Sequence, residues 1–344
     1  MATKIVHWSI GDAPLKDTSL TAVIGNFDGV HLGHQKLIST ALSLAKNNGT
    51  KVGVITFDPH PRRYFRQNEP GFLLSDITEK NRTLSLHGIE IIIHVSFNDA
   101  LRQLSPQQFV SDVLYPLGVS HLVAGSDFAF GRGRAGDMSL LSEIGGEYNI
   151  KTTDVSLKVD NKSATVSSSR VRAALQAGRI DDAAEMLGRP PTICGTIEHG
   201  DKRGRLLDFP TANFNLEDYQ VPAYGVYAIT AVIEDKNASL QGDTQIIDVP
   251  DLPVLMGVAN IGIRPTIGDR KVMAEIHLFD FDEDIYGERL CVNLHHYMRG
   301  EKKFDSIDSL KAQISKDAAT ARDLLEDKKQ NKDEMLIMRN SDVR

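Results

Sequence analysis

Through the first part of the chain, short β-branched runs alternate with stretches whose apolar positions recur at helical spacing. Thr21-Ala22-Val23-Ile24, Lys51-Val52-Gly53-Val54-Ile55-Thr56-Phe57, Ile89-Glu90-Ile91-Ile92-Ile93-His94-Val95 and His121-Leu122-Val123-Ala124 read as strands. Residues 35–48 read as a helix between the first two. A second helix opens at Ser105-Pro106, with serine as N-cap and proline at the first helical position. Its apolar residues Phe109, Val113, Leu114 and Leu117 share one face, and Gly118 ends it. Near-continuous apolar strands separated by helices predict a parallel sheet covered on both faces. Ligands of such sheets sit beyond the C-terminal strand ends, where segments 25–34, 58–61 and 125–136 fall.

The pattern changes near Gly188-Arg189-Pro190-Pro191. Two short helices, 169–176 and 181–187, precede it. Short strands follow without intervening helices, at 193–199, 224–234, 255–261, 272–279 and 290–296, which predicts a small antiparallel barrel. The expected division is a domain over 1–187, a second over 188–326 that ends in a helix at 309–326, and a charged, frayed or disordered tail over 327–344.

Composition narrows the class. The chain has 344 residues, enough for two sizeable cores, and its charged and apolar fractions are ordinary for a globular protein. A net charge of −7 argues against a general nucleic-acid or membrane-surface binder. Residues 1–11 lack the pattern of a secretory signal, and no apolar run approaches the ~18 residues that span a bilayer. Cys194 and Cys291 lie far apart in sequence without metal-ligand spacing, so two structural thiols in a reducing, cytoplasmic setting are expected.

The most informative chemistry is the turn Gly25-Asn26-Phe27-Asp28-Gly29-Val30-His31-Leu32-Gly33-His34, between a strand and a helix. Backbone N–H groups and a helix N-terminus there suit phosphate, and two histidines add proton donors. There is no Gly-x-x-x-x-Gly-Lys-Ser/Thr loop. His-x-Gly-His after a first strand resembles the nucleotidyltransferase superfamily, which attacks the α-phosphate of ATP. Three further segments accompany it: Asp58-Pro59-His60-Pro61, Gly125-Ser126-Asp127-Phe128-Ala129-Phe130-Gly131-Arg132-Gly133-Arg134, and Ser167-Ser168-Ser169-Arg170. In this order they resemble the adenylyltransferase half of the prokaryotic bifunctional riboflavin kinase/FAD synthetase family, a Rossmann-like α/β domain. The resemblance implies ATP binding by Gly25, Phe27, Asp28, His31, His34, Ser168 and Arg170. It implies flavin contacts at His60, Asp127 and Phe128, with Tyr64 or Phe65 as further flavin neighbours, and catalytic roles for His31 and His34.

The second half carries Gly195-Thr196-Ile197-Glu198-His199-Gly200-Asp201, Gly204-Arg205, Phe209-Pro210-Thr211-Ala212-Asn213, Gly257-Val258-Ala259-Asn260-Ile261-Gly262, Arg264-Pro265-Thr266 and Ala274-Glu275-Ile276-His277-Leu278. Thr211 and Asn213 offer adjacent oxygens for a hard cation such as Mg²⁺ with nucleotide phosphates. These motifs resemble the flavokinase half of the same family, a six-stranded barrel. That resemblance implies ATP and Mg²⁺ binding at Gly200, Gly204, Thr211 and Asn213, and Glu275 as general base. The implied activities are phosphorylation of riboflavin to FMN and adenylylation of FMN to FAD with release of pyrophosphate. ATP and Mg²⁺ serve both, no tightly bound redox cofactor is required, and neither nucleic acid nor membrane is a partner; oligomeric state is left open. Asp208 stands where the family usually has glycine, so a weakened kinase is one alternative and a non-catalytic flavin- or nucleotide-binding regulator another. Bland readings stand beside the functional ones: Phe128 and Phe130 also suit core positions, His60 a proline-held loop, Arg132 and Arg134 a solvated loop. His94, His121, His199, His277, His295 and His296 read as structural.

Overall fold

The structure, a computed structural model, describes residues 3–15, 18–156, 165–198, 209–234, 245–247, 252–265 and 270–341. Two compact units form. The first comprises Met1–Glu69, Ile77–Ser168 and Ser239–Pro250; the second comprises Pro70–Asp76, Ser169–Ala238 and Asp251–Arg344.

In the first unit the apolar runs become β1 (Thr3–Trp8), β2 (Leu20–Ile24), β3 (Lys51–Asp58), β4 (Ile91–Ser96), β5 (Val119–Gly125) and β6 (Lys151–Val155). With β10 (Gln245–Ile247) they make a sheet of order β10-β1-β4-β3-β2-β5-β6, parallel throughout except at β10. Successive side chains point to opposite faces. Leu20, Ala22, Ile24, Ile91 and Ile93 therefore enter one core, while Val23, Val54, Ile92 and Val123 enter the other. Each such aliphatic side chain fully removed from water stabilises the fold by about 1.5–3 kcal/mol. Helix α1 (Leu32–Asn48) turns Ile38, Ala41 and Ala45 inward and stops at Gly49, which is left-handed at φ 65°.

Ser105 caps its helix as the pattern predicts, with a capping box through Gln108. That segment is a single turn at Pro106–Phe109 running into a π-helix at Val110–Leu114, and Phe109, Val113, Leu114 and Leu117 are all buried. Gly118 has φ 72°, and a Cβ there would lie 2.1 Å from the Thr18 carbonyl oxygen, so only glycine fits. The remaining helices of this unit are α2 (Pro61–Phe65), α3 (Ile77–Leu86), α4 (Asp99–Gln103), α5 (Pro106–Phe109) and α6 (Met138–Glu147). Strand β1 was not predicted: its polar positions break the apolar run, and its tertiary neighbours β4 and β10 give it a place.

The second unit begins with α7 (Ser168–Gln176) and α8 (Ile180–Leu187), followed by the barrel strands. These are β7 (Thr192–Thr196), β8 (Ala212–Asn215), β9 (Gly225–Glu234), β11 (Leu255–Pro265), β12 (Arg270–Leu278) and β13 (Arg289–Arg299), ordered β7-β13-β9-β11-β12-β8 and all antiparallel. A bridge between Glu198 and Asn213 joins the two ends of the order. The closing helix α9 (Ile307–Ser341) packs Ala321 and Leu325 against Val226, Ala228, Val258 and Phe279, and Arg299 grips Asp317 through Nε at 3.1 Å. The helix continues through 327–341, where a frayed tail was expected. Its lysines, glutamates and glutamines are good helix formers, so charge does not end it.

The expectation of two free thiols is also corrected. Cys194 and Cys291 face each other in register on β7 and β13, 4.1 Å apart at Cα, and form a buried disulfide. Their separation of 97 residues concealed a direct cross-strand pairing. Cys194 also donates its backbone N–H to the Tyr219 hydroxyl oxygen, whose O–H is donated to Asp76 (3.0 Å). Arg289 in turn binds Asp76 and Glu234. This network ties Pro70–Asp76 to the barrel. Gly71 allows the close approach, since a Cβ there would meet the Glu217 carbonyl oxygen at 2.3 Å.

Candidate active sites

The turn at residues 25–34 is held in a costly conformation. Phe27 and Val30, neither a glycine, have φ 51° and 42°, and Gly29 has φ 79°. Left-handed backbone at a non-glycine costs on the order of 1–3 kcal/mol. Complete burial of the Phe27 and Val30 side chains offsets that cost. The bend delivers His31 to the N-cap of α1, where its Nδ1 accepts the His34 backbone N–H at 3.4 Å. The two imidazoles stack 3.7 Å apart between centroids, and the Phe27 ring lies 5.0 Å from His34. Gly33 is needed here because a Cβ would come within 3.1 Å of the His31 ring. Burial, then the charges of His31 and Lys80, hold His34 well below the usual histidine range. Its Nδ1 is buried without a hydrogen-bond partner among the described residues, a polar atom that a bound ligand would satisfy.

These groups line a cavity of about 780 Å³ at the C-terminal ends of the parallel strands, a size typical of small-molecule sites. Gly25, His31, His34, Asp127, Phe128 and Ser167 are in its wall. So are Phe57, Phe65, Phe97 and Phe130, an aromatic side that the sequence reading captured only in part. Phe97 is the centre of that side, packing edge-on against Phe57, Tyr64 and Phe65. Nothing in its local sequence marks it; only the adjacency of β3 and β4 brings it there. Phe130 is both core and wall: it is buried and stacks on Phe128 at 5.7 Å.

The other predicted residues take different stations. Phe27 and Asp28 are buried beneath the turn and are not part of the cavity wall. Ser168 donates its hydroxyl to the Asp28 carbonyl (3.0 Å), clamping the turn from the opposite side. His60 caps α2, its Nδ1 accepting the Arg62 N–H at 3.0 Å, and it is not in the wall either. Arg170 lies in α7, within the second unit. Arg134 and Gly131 do reach the cavity, in a loop closed by the Phe130–Gly136 bridge.

On the barrel, register does what loops do in the first unit. Asn213 on β8 faces Glu275 on β12, which faces Asn260 on β11. Together with Glu198 they form one polar row across neighbouring strands. Asn213 is 4% exposed; its Nδ2 donates to the Thr211 carbonyl (3.3 Å), and its Oδ1 is buried without a partner among the described residues. Arg264 Nε approaches Glu275 Oε1 at 2.5 Å. His277 accordingly reads as structural, its ring nitrogen holding the Pro210 carbonyl at 2.9 Å. Asn260 and Arg264 were given no individual role from sequence, although both stand inside quoted motifs of the second half, Gly257–Gly262 and Arg264–Thr266. Gly200, Gly204, His199 and Asp208 lie outside the described residues.

Two polar sites, each built entirely within its own compact unit, mark the class: an enzyme with two separate transferase domains. Residues 14–170 match the family model described as FAD synthetase, and residues 187–325 match the one described as riboflavin kinase. A bifunctional riboflavin kinase/FMN adenylyltransferase of Bacillus subtilis (strain 168) is 37% identical over 326 residues, covering 92% of this chain and 97% of that protein. The protein of the same name from Escherichia coli (strain K12) is 36% identical over 316 residues, covering 92% and 95%. The chain belongs to the bifunctional riboflavin kinase/FMN adenylyltransferase family. A solved structure from Streptococcus pneumoniae, named as a macrolide-efflux protein, superposes with a TM-score of 0.76 at 28% identity, covering 92% of this chain and 99% of that one. No helix among the described residues is long and apolar enough to cross a membrane.

Proposed function

We propose that the barrel phosphorylates riboflavin to FMN and that the 780 Å³ cavity of the first unit adenylylates FMN to FAD. Residues 1–187 serve adenylyl transfer, 188–326 serve phosphorylation, and the tail from 327 belongs to neither site. The observation that carries the reading is the stacked His31–His34 pair at the N-terminus of α1, with an unpartnered nitrogen, facing an aromatic wall across one cavity.

In adenylyl transfer an FMN phosphate oxygen attacks the α-phosphorus of ATP, and the bond from that phosphorus to the bridging oxygen breaks. Pyrophosphate leaves with the electron pair. No covalent enzyme intermediate forms, so alignment and charge stabilisation supply the rate. His34, neutral in a site without phosphate, becomes a better proton holder as phosphate charge arrives, and it donates to the oxygens on which charge builds. His31 is held by its capping bond and donates from the other ring nitrogen. Phe128, Phe57 and Phe97 provide flat apolar contact for an isoalloxazine, with Asp127 at the rim. Gly25 lets the chain pass close to the nucleotide.

In phosphorylation Glu275 takes the proton of the ribityl 5′-hydroxyl as that oxygen attacks the γ-phosphorus, and ADP leaves. Arg264 fixes the carboxylate. The Thr211 hydroxyl and the orphaned Asn213 Oδ1 are hard oxygen donors, which fits Mg²⁺. Bound there, the ion would neutralise charge on phosphate oxygens. A cytoplasmic setting is the reading that goes with consumption of ATP at both sites.

The test is chromatographic analysis of products after incubating the full chain with riboflavin, ATP and Mg²⁺. FAD is expected. FMN alone would overturn the adenylyl assignment. If no product forms, FMN is supplied instead: FAD would then implicate Asp208 in a failed kinase, and continued silence would favour a binding protein without turnover.

A further inference from the structure

Beneath the 25–34 turn lies a charged group that neither proposed reaction uses. Lys80, on α3, is 9% exposed. One of its three N–H donors goes to the Thr56 Oγ1, at 3.3 Å. Thr56, fully buried on β3, donates that hydroxyl to the carbonyl oxygen of Asn26 at 3.2 Å. Asn26 is in the cavity wall. A continuous path therefore runs from the buried ammonium through one hydroxyl to the backbone of the phosphate-side turn.

Packing alone does not call for a cation here. Moving an ammonium out of water costs several kcal/mol even after relaxation, and an apolar chain of similar volume fills such a site as well or better. Burial holds the Lys80 pKa below the usual lysine value, and the carboxylates of Asp28 and Asp58 oppose that shift and favour the charged form. Neither is its hydrogen-bond partner; the bond is to a neutral hydroxyl. The field of the ammonium is also felt at His34, on the cavity side, and at His94, on the sheet behind it. The turn is thus held from two sides: by Ser168 at the Asp28 carbonyl and by the Lys80–Thr56 relay at the Asn26 carbonyl.

We propose that Lys80 is a positioning residue for adenylyl transfer, a buried cation that fixes the turn through Thr56 and counters the negative charge gathered above it in the transition state. The inference rests on assigning adenylyl transfer to this cavity. Lys80 touches no substrate. Its loss therefore shifts the turn relative to the α-phosphate while leaving the direct ATP contacts in place. Misplacement by about 1 Å costs on the order of 10²-fold in rate.

The experiment is steady-state kinetics of Lys80→Met in the full chain, with FMN and ATP as substrates, beside riboflavin phosphorylation by the same sample. The unchanged protein must first form FAD from FMN; failure there rejects the cavity assignment and is distinct from failure of the Lys80 role. For the variant, kcat for FAD is expected to fall about 10–100-fold, with the ATP KM within about threefold and FMN formation unaltered. A kcat within twofold of the parent would overturn the proposal. So would a raised KM with kcat preserved, which would make Lys80 a ground-state contact. Removing the cation also alters the field at the buried Asp28, so Lys80→Met is paired with Thr56→Val. That variant keeps the charge and cuts only the relay, and its kcat is expected to fall about 3–10-fold with the same KM pattern. Unchanged kinetics in folded Thr56→Val would overturn the proposal independently.

Discussion

In the first unit the proposed catalytic groups come from loops at the ends of parallel strands; in the second they stand on adjacent antiparallel strands. The adenylyl side gathers Gly25, His31, His34, Asp127, Phe128 and Ser167 from well-separated stretches of chain. It does so at the cost of left-handed backbone at Phe27 and Val30. The kinase side sets Asn213, Glu275 and Asn260 side by side through strand register, with no comparable distortion at those residues. The first arrangement encloses substrate but depends on everything that braces one strained turn. The second rests on side chains set in place by strand register. Substitution should therefore act at a distance in the first unit and locally in the second.

The sharpest way to break this comparison is Glu275→Gln. It keeps shape and strand, and FMN formation should fall by about 10²–10⁴ while FAD formation from supplied FMN continues. A parallel loss of both activities, read by chromatography, would deny the separation of the sites. His34→Ala should give the converse: FAD formation down about 10²–10³, riboflavin phosphorylation intact, and the thermal transition retained.

A smaller effect concerns stability of the first unit alone. Burial, then the Lys80 and His7 charges, lower His94 to about 3, and its Nε2 is bonded to Asn81 at 2.9 Å. Unfolded, the ring returns to about 6.5, so between these values the unfolded chain binds a proton that the folded one does not. Stability from this residue is present above pH ~6.5 and is lost as pH falls toward 3, by at most about 5 kcal/mol. Urea unfolding followed across that interval should show the slope, and His94→Leu should flatten it. Smallest is Gly71→Ala in the second unit. Its Cβ would overlap the Glu217 carbonyl, and about 1–3 kcal/mol of barrel stability should be lost, read from the denaturant midpoint, with His34-dependent activity unaffected.

What could be read in advance follows the range of the forces involved. The capping box at Ser105, the stop at Gly118 and the inward face of Phe109, Val113, Leu114 and Leu117 are local, and their spacing shows them directly. The histidine turn and the Thr211–Asn213 segment stood out as candidates because their residue types lie close together in the chain. The role of Phe97, the strand at Thr3–Trp8, the Cys194–Cys291 bond and the attachment of Pro70–Asp76 to the barrel were not legible. Each depends on a neighbour distant in sequence, and no local pattern carries that information.

By itself, then, the sequence determined that there would be a parallel α/β domain and an antiparallel barrel. Periodicity and short motifs are local properties of a chain. Only the tertiary structure decided that Ser168 and Thr56 hold the carbonyls of one turn, that Arg264 meets Glu275, and that a lysine lies buried beneath the histidines. Those contacts arise where separate elements pack, and their energies depend on burial, which the packed fold alone creates.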